Sequence, residues 1–144
     1  MDFPNCTEET RKRKITIKDP RSKNSKSEVL LENPQGITIK IVEIDGCVIQ
    51  GNQQMRCDRL VIVPHQKLIF IELKGKKIEQ AFKQIIATLE YIYQACSSTQ
   101  NHDITGIIAC TGCKLARTDI QNLKAKFRKH GQLVIKSGLV SHYL

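Results

Sequence analysis

Two short apolar segments joined by a tight polar turn constrain the fold of this chain more than any other feature. Leu60–Val63 and Leu68–Leu73 consist mainly of branched and aromatic residues, and only Pro64–Lys67 separates them. Such runs are typical of β-strands, and a connection this short favours an antiparallel hairpin. We therefore expect a hairpin whose strands are largely buried.

Charged residues stand at the ends of these apolar strands. Asp58 precedes the first strand, and the second ends in Glu72-Leu73-Lys74. Because residues two apart on a strand point the same way, Glu72 and Lys74 project together. Charges in an apolar setting cost free energy unless a counter-charge compensates them, and two carboxylates suit a hard divalent cation. A lysine beside that cation could orient or deprotonate a water, or balance the charge of a phosphate.

The length of the turn decides whether Asp58 can join this group. A two-residue turn at His65-Gln66 sets Asp58 opposite Leu73, on the wrong face of the hairpin. A three-residue loop with Val63 opposite Lys67 gives the correct parity, and a β-bulge near Asp58 would also bring the groups together. The predicted site therefore requires an odd loop or a bulge.

The order of these residues resembles a known nuclease signature. Asp58, thirteen further residues and then Glu72-x-Lys74 are similar to the motif of the PD-(D/E)XK superfamily, which includes restriction endonucleases and junction resolvases. The resemblance implies that Asp58 and Glu72 bind Mg²⁺, with Mn²⁺ as a substitute. It also implies that the Leu73 carbonyl is a backbone ligand and Lys74 the catalytic lysine. Cys57 stands where the family often has proline.

The resemblance extends from about Ile37 to Ile135 and carries further expectations. It implies a Mg²⁺-dependent DNA endonuclease that acts as a homodimer, without an organic cofactor. The alternative is a non-catalytic nucleic-acid-binding or regulatory protein with the same fold. Gln80 and Gln84 are possible accessory residues, or part of a solvated helix face. The unranked candidates for a third acid are Glu28, Glu32 and Glu43.

Charge supports a polyanionic partner. The formal net charge is +9, with few aromatic residues and no tryptophan, so contact with the backbone of duplex or branched DNA is favoured over stacking on single-stranded bases. The alternative is a solvated basic surface. The residues assigned to nucleic-acid contact are Lys76, Lys77, Lys114, Arg117, Lys124, Arg128 and Lys129.

The remaining elements complete an α/β prediction. We expect a strand pair turning at Asp45-Gly46, helices over Lys77–Cys96 and Thr118–His130, and strands over Ile104–Cys110 and Leu133–Ile135. Thr118 with Gln121 suggests a capping box, and Gly131 a C-terminal cap. The predicted fold is a central mixed β-sheet, an antiparallel meander followed by β-α-β-α-β, flanked by helices and restriction endonuclease-like.

The N-terminal segment and the cysteines indicate the domain organisation and the cellular environment. Residues 1–27 are predicted to be a flexible basic arm with at most one strand, Ile15–Lys18, and residues 28–144 a single domain. No apolar run approaches the roughly 20 residues of a membrane span, and no secretory signal is evident. We therefore expect reduced cysteines and a cytoplasmic protein. Cys110-x-x-Cys113 leaves zinc or redox chemistry as a weaker alternative.

Overall fold

The computed structural model describes residues 2–19, 27–52, 54–73, 77–96, 101–113 and 116–144. Within these ranges the chain forms nine strands and two helices. In chain order they are β1 (Thr7–Thr10), β2 (Lys14–Ile17), β3 (Glu28–Glu32), β4 (Ile39–Glu43), β5 (Arg59–Val63), β6 (Lys67–Leu73), α1 (Ile78–Ala95), β7 (Asp103–Cys110), α2 (Arg117–Phe127), β8 (Gly131–Ser137) and β9 (Leu139–Tyr143).

The strands form two sheets. The large sheet has six strands in the order β1-β4-β5-β6-β7-β8. Its first half is antiparallel, and β6, β7 and β8 are parallel because α1 and α2 connect them. The small sheet has the order β2-β3-β9. The predicted α/β class with a mixed central sheet is confirmed.

Two apolar layers cover the large sheet, one on each face. On one face α1 and α2 pack against strand residues such as Leu60, Phe70 and Ile108. On the other face the small sheet packs against Ile69 and Ile71. Because both faces are covered, β6 and β7 are apolar along almost their whole length instead of alternating with polar residues.

The elements with the strongest pattern lie where they were predicted. Strand β6 matches its predicted range, and α1 and β7 each match to within one residue at either end. The predicted caps of α2 are wrong, because its N-cap is Ala116, which makes no side-chain cap hydrogen bond. Gly131 begins β8, where an added Cβ would collide with the Ile104 carbonyl oxygen.

The N-terminal region is more ordered than predicted. β1 pairs with β4 at the edge of the large sheet, and β2 pairs with β3 in the small sheet, so the described part of residues 1–27 contains two strands where at most one was expected. β1 reads TEET, which has no apolar alternation, and its position depends on pairing with β4. The strands β3 and β9 were also not predicted.

The Asp45-Gly46 hairpin does not form a second strand. The chain makes an isolated bridge between Asp45 and Ile49, and Ile44 and Ile49 are both buried. The Gly46 N–H donates to the Ile49 carbonyl at 3.0 Å. Burial of these two isoleucines under a compact turn replaces the predicted strand, and β5 therefore pairs directly with β4.

The prediction of reduced cysteines is wrong for four of the six. Cys6 is bonded to Cys47, and Cys110 to Cys113. The first pair is separated by 41 positions, a distance at which spacing carries no information about pairing. None of the described helices is both long and apolar enough to cross a membrane.

Candidate active site

The β5–β6 loop has the odd length that the predicted site requires. Val63 lies opposite Lys67, so the loop contains Pro64, His65 and Gln66. The Gln66 N–H donates to the Val63 carbonyl at 3.0 Å, and His65 has a φ of 63°. Proline followed by a residue with positive φ is the pattern of a type II turn. The β5–β6 register therefore has the required parity as far as its last pair, Arg59 with Ile71.

A backbone irregularity aims the Asp58 side chain at β6. Continued by one residue, the β5–β6 register would set Asp58 opposite Glu72. Instead the Asp58 N–H donates to the Ile71 carbonyl at 3.1 Å, although Arg59 is the ladder partner of Ile71. Two residues thus oppose one, as in a β-bulge. The Leu73 N–H then donates to Asp58 Oδ2 at 2.7 Å, which fixes the carboxylate beside the end of β6.

Both acids of the motif are buried in the same neighbourhood. Asp58 is 8% exposed and Glu72 1% exposed. Burial raises the pKa of the Cys57 thiol, and the negative charges of Glu72 and Asp58 raise it further. Glu72 directly precedes Leu73, whose N–H donates to Asp58. The structure therefore brings together Asp58, Glu72 and Leu73. Lys74 lies outside the described residues.

Helix α1 holds the segment that leads into Asp58. The Cys57 N–H donates to Thr88 Oγ1 at 2.8 Å, and the Thr88 hydroxyl donates to the Gln84 carbonyl at 2.8 Å. Gln84 Nε2 donates to the Arg56 carbonyl at 3.2 Å. Sequence reasoning missed Thr88; its signal was a hydroxyl within the apolar stripe of α1.

The two predicted accessory glutamines differ in position. Gln84 is half-buried, and its Oε1 atom is buried without a hydrogen-bond partner among the described residues. Gln80, one turn earlier, is exposed. Gln84 therefore has an acceptor available near Asp58, whereas Gln80 lies on the solvated face.

The candidates for a third acid are not brought to the site. Glu43 is exposed and lies between Val42 and Ile44, whose side chains enter the layer under the helices, so alternation directs Glu43 to the other face. Glu28 and Glu32 lie at the two ends of β3 in the small sheet. Among the described residues no group of three His, Cys, Asp or Glu side chains is close enough to hold a metal ion.

The donor set nevertheless suits a hard divalent cation. Asp58 and Glu72 offer two buried carboxylates, and Leu73 offers a carbonyl oxygen at the same strand end. Mg²⁺ in proteins is commonly held by one or two carboxylates, with water and substrate phosphate completing its coordination. Oxygen ligands of this number and type fit Mg²⁺ or Mn²⁺.

The predicted basic contacts are spread over the surface. Lys77 is exposed at the N-cap of α1, near the end of β6. Along α2 the exposed residues run from Arg117 through Lys124 to Arg128 and Lys129, a helical length of about 16 Å. Only the Arg117 end lies near the carboxyl ends of the parallel strands. Lys76 and Lys114 lie outside the described residues.

The opposite end of the large sheet gathers histidines. We call it the histidine end, and the end with Asp58 and Glu72 the carboxylate end. His102, His130 and His142, three of the four histidines, line a cavity of about 350 Å³ together with Lys67 and Asp103. Burial lowers the pKa of His130 and of His142, with a further lowering from Lys129 and Lys67, respectively, while Glu90 partly opposes the shift at His130.

Comparisons with known proteins give no match: no family model fits the sequence, and neither curated proteins nor solved structures show a similar chain.

Proposed function

We propose that this protein is a divalent-cation-dependent DNA endonuclease with a restriction endonuclease-like fold. One observation carries the proposal: Asp58 and Glu72 lie buried together at the end of an odd-looped hairpin, with Asp58 fixed by the Leu73 N–H at 2.7 Å. Burial of two carboxylates costs stability, and a metal-binding function would account for their position. Their order, followed by Lys74 and the amphipathic helix α1, adds the resemblance to PD-(D/E)XK nucleases.

The residues divide the work of phosphodiester hydrolysis among them. Asp58, Glu72 and the Leu73 carbonyl would hold Mg²⁺, which supplies an activated water and neutralises charge on the scissile phosphate. The hydrogen bond from Leu73 keeps the Asp58 carboxylate in one orientation. Lys74 positions the nucleophile or neutralises developing charge. The buried Oε1 atom of Gln84 offers an acceptor that orients a water beside them.

The charge of the protein supports DNA as the substrate. The net charge of +9 favours a polyanion, and the exposed basic residues of α2 offer contacts to phosphates. Because one such site cleaves one strand, cleavage of a duplex requires two copies. We therefore propose a homodimer as the active form.

Cleavage of supercoiled plasmid, branched DNA and single-stranded DNA tests the proposal. We expect cleavage with Mg²⁺ or Mn²⁺, none with a chelator, and loss of cleavage in Lys74→Ala and Asp58→Asn. Glu90→Gln is the matched control, since it removes an exposed acid of α1 that lines a cavity with His130, at the histidine end. Cleavage that survives both chelation and Lys74→Ala would overturn the mechanism.

The same experiment separates the second candidate function. A non-catalytic nucleic-acid-binding protein would bind these DNAs with no cleavage under any cation. The lack of a third acid near Asp58 and Glu72 among the described residues is the observation that favours it. Binding without cleavage, at protein concentrations that saturate the DNA, would favour this second candidate function.

A further inference from the structure

A basic cleft separates β2 from the large sheet. Its cavity, of about 280 Å³, lies between β2 and the strands β1, β4 and β5. Four of its lining residues are basic and one is acidic, Glu8; the basic ones are Lys12, Lys14, Lys18 and Arg59. None of the lining residues is aromatic. The cleft therefore presents positive charge without a surface for base stacking.

The spacing of its lysines fits a repeating anion. Lys14, Thr16 and Lys18 alternate with the buried Ile15 and Ile17, so they form one exposed row along β2. Lys14 and Lys18 are four residues apart, which on a strand is about 13 Å and is comparable with the separation of every second phosphate along one nucleic-acid strand. A row with this repeat suits a phosphodiester chain better than a single small anion.

Most of this charge is available to a ligand. Lys12 and Lys14 are exposed and form no ion pair with another described residue. Lys18 lies 3.6 Å from Glu28, but its side chain is 64% exposed, and such surface pairs are weak. A phosphate could displace this contact at little cost.

One end of the cleft adjoins the candidate active site. Arg59 lines the cleft, and its Nη1 donates to the Asp58 carbonyl at 3.0 Å. A lining residue of the cleft is therefore next to the proposed metal ligand in sequence and hydrogen-bonded to its backbone. From this juxtaposition we infer that the cleft binds the phosphodiester backbone of DNA and leads it to Asp58 and Glu72, an inference that rests on the proposed nuclease function for its direction.

Salt-dependent DNA binding in Ca²⁺, which replaces Mg²⁺ to suppress cleavage, tests the cleft. The slope of log affinity against log salt falls by roughly 0.7 to 0.9 for each lost phosphate contact. We expect a reduction of this size in Lys14→Ala, a further one in Lys12→Ala/Lys14→Ala, and affinity losses of several-fold at low salt. Lys83→Ala is the matched control, because Lys83 is an exposed lysine on α1. Melting temperatures confirm that each variant is folded.

The outcomes separate the cleft from the nuclease proposal. Slopes and affinities that are equal in Lys14→Ala and Lys83→Ala, or no DNA binding by the wild type, would show that the cleft does not bind DNA. A changed slope in Lys14→Ala with no Mg²⁺-dependent cleavage by the wild type would support DNA binding by the cleft and reject the proposed nuclease activity. Inorganic phosphate that displaces DNA far better than chloride at equal ionic strength would indicate a small-anion pocket and overturn the backbone assignment.

Discussion

The two ends of the large sheet hold their titratable groups in opposite ways. At the carboxylate end, Asp58 and Glu72 are almost fully buried, and a backbone N–H fixes the Asp58 side chain. At the histidine end, His102, His130 and His142 are only half-buried around an open cavity. Burial of a charged group costs stability, so the first arrangement is the one that a function must justify.

The covalent cross-links follow the same division. Both disulfides between described residues lie at the carboxylate end: Cys47 follows β4 near Asp58, and Cys110 ends β7 next to the end of β6. The disulfides thus lie at the same end of the sheet as the buried carboxylates, beside β1, β4 and β7. We interpret the carboxylate end as a preorganised site and the histidine end as an adaptable surface.

The largest expected effect concerns activity at the carboxylate end alone. Glu72→Gln keeps the shape of the side chain but removes the charge that would hold the cation. We expect Mg²⁺-dependent cleavage to fall about a thousand-fold or more, equivalent to about 4 kcal/mol in activation free energy. His142→Asn, at the histidine end, should cleave like the wild type. Plasmid nicking rates measure both, and equal rates for both variants would break the comparison.

The next effect concerns the brace at that end. Loss of the Cys6–Cys47 disulfide in Cys47→Ser should lower the free energy of unfolding by about 2–4 kcal/mol, because the unfolded chain regains freedom. Urea unfolding without reductant measures the loss. Cys6→Ser and the double variant should lose the same amount. Additive losses would show that the two cysteines act separately.

A smaller effect on stability and cleavage is expected from the hydrogen bond that joins α1 to the segment before Asp58. Thr88→Val removes the acceptor of the buried Cys57 N–H, and leaving that donor unsatisfied costs about 1–3 kcal/mol. The segment before Asp58 would shift, so cleavage should also fall, by roughly ten-fold. Thr88→Ser keeps the hydroxyl and should retain the cleavage rate. If Thr88→Ser cleaves as poorly as Thr88→Val, the hydroxyl alone does not position the strand, and the assignment to this hydrogen bond fails.

The carboxylate end was largely predictable because its information is local. The apolar runs around Pro64–Lys67 predicted the hairpin and left two or three residues for its loop; the structure has three, with Arg59 opposite Ile71. The single period of α1 predicted that helix to within one residue at either end. In each case a short stretch of sequence determines both the conformation and the face that is buried.

Other features were not predictable because they depend on distant partners. β1 has no apolar alternation and is ordered by pairing with β4. The role of Thr88 requires knowing which strand end lies over α1. The histidines converge from the loops before β7 and β8 and from β9, three segments far apart in sequence. No local sequence pattern predicts that these three histidines lie close together.

The smallest expected effect is a pH dependence that originates at the histidine end. The folded state lowers the pKa of His130 and of His142, so the unfolded chain binds protons more readily there. By linkage, stability is present above the ordinary histidine pKa near 6.5 and is lost as the pH falls below it. Partial exposure of both rings keeps the effect small.

Urea midpoints at pH 7.5 and 5.5 test this dependence. We expect a lower midpoint at pH 5.5 in the wild type and a smaller decrease in His130→Asn/His142→Asn. His65→Asn is the control, since His65 is exposed in the β5–β6 loop and asparagine tolerates its positive φ; it should show the wild-type decrease. If the double variant and the wild type lose the same stability on acidification, the dependence originates elsewhere, and the buried carboxylates at the other end become the groups to test.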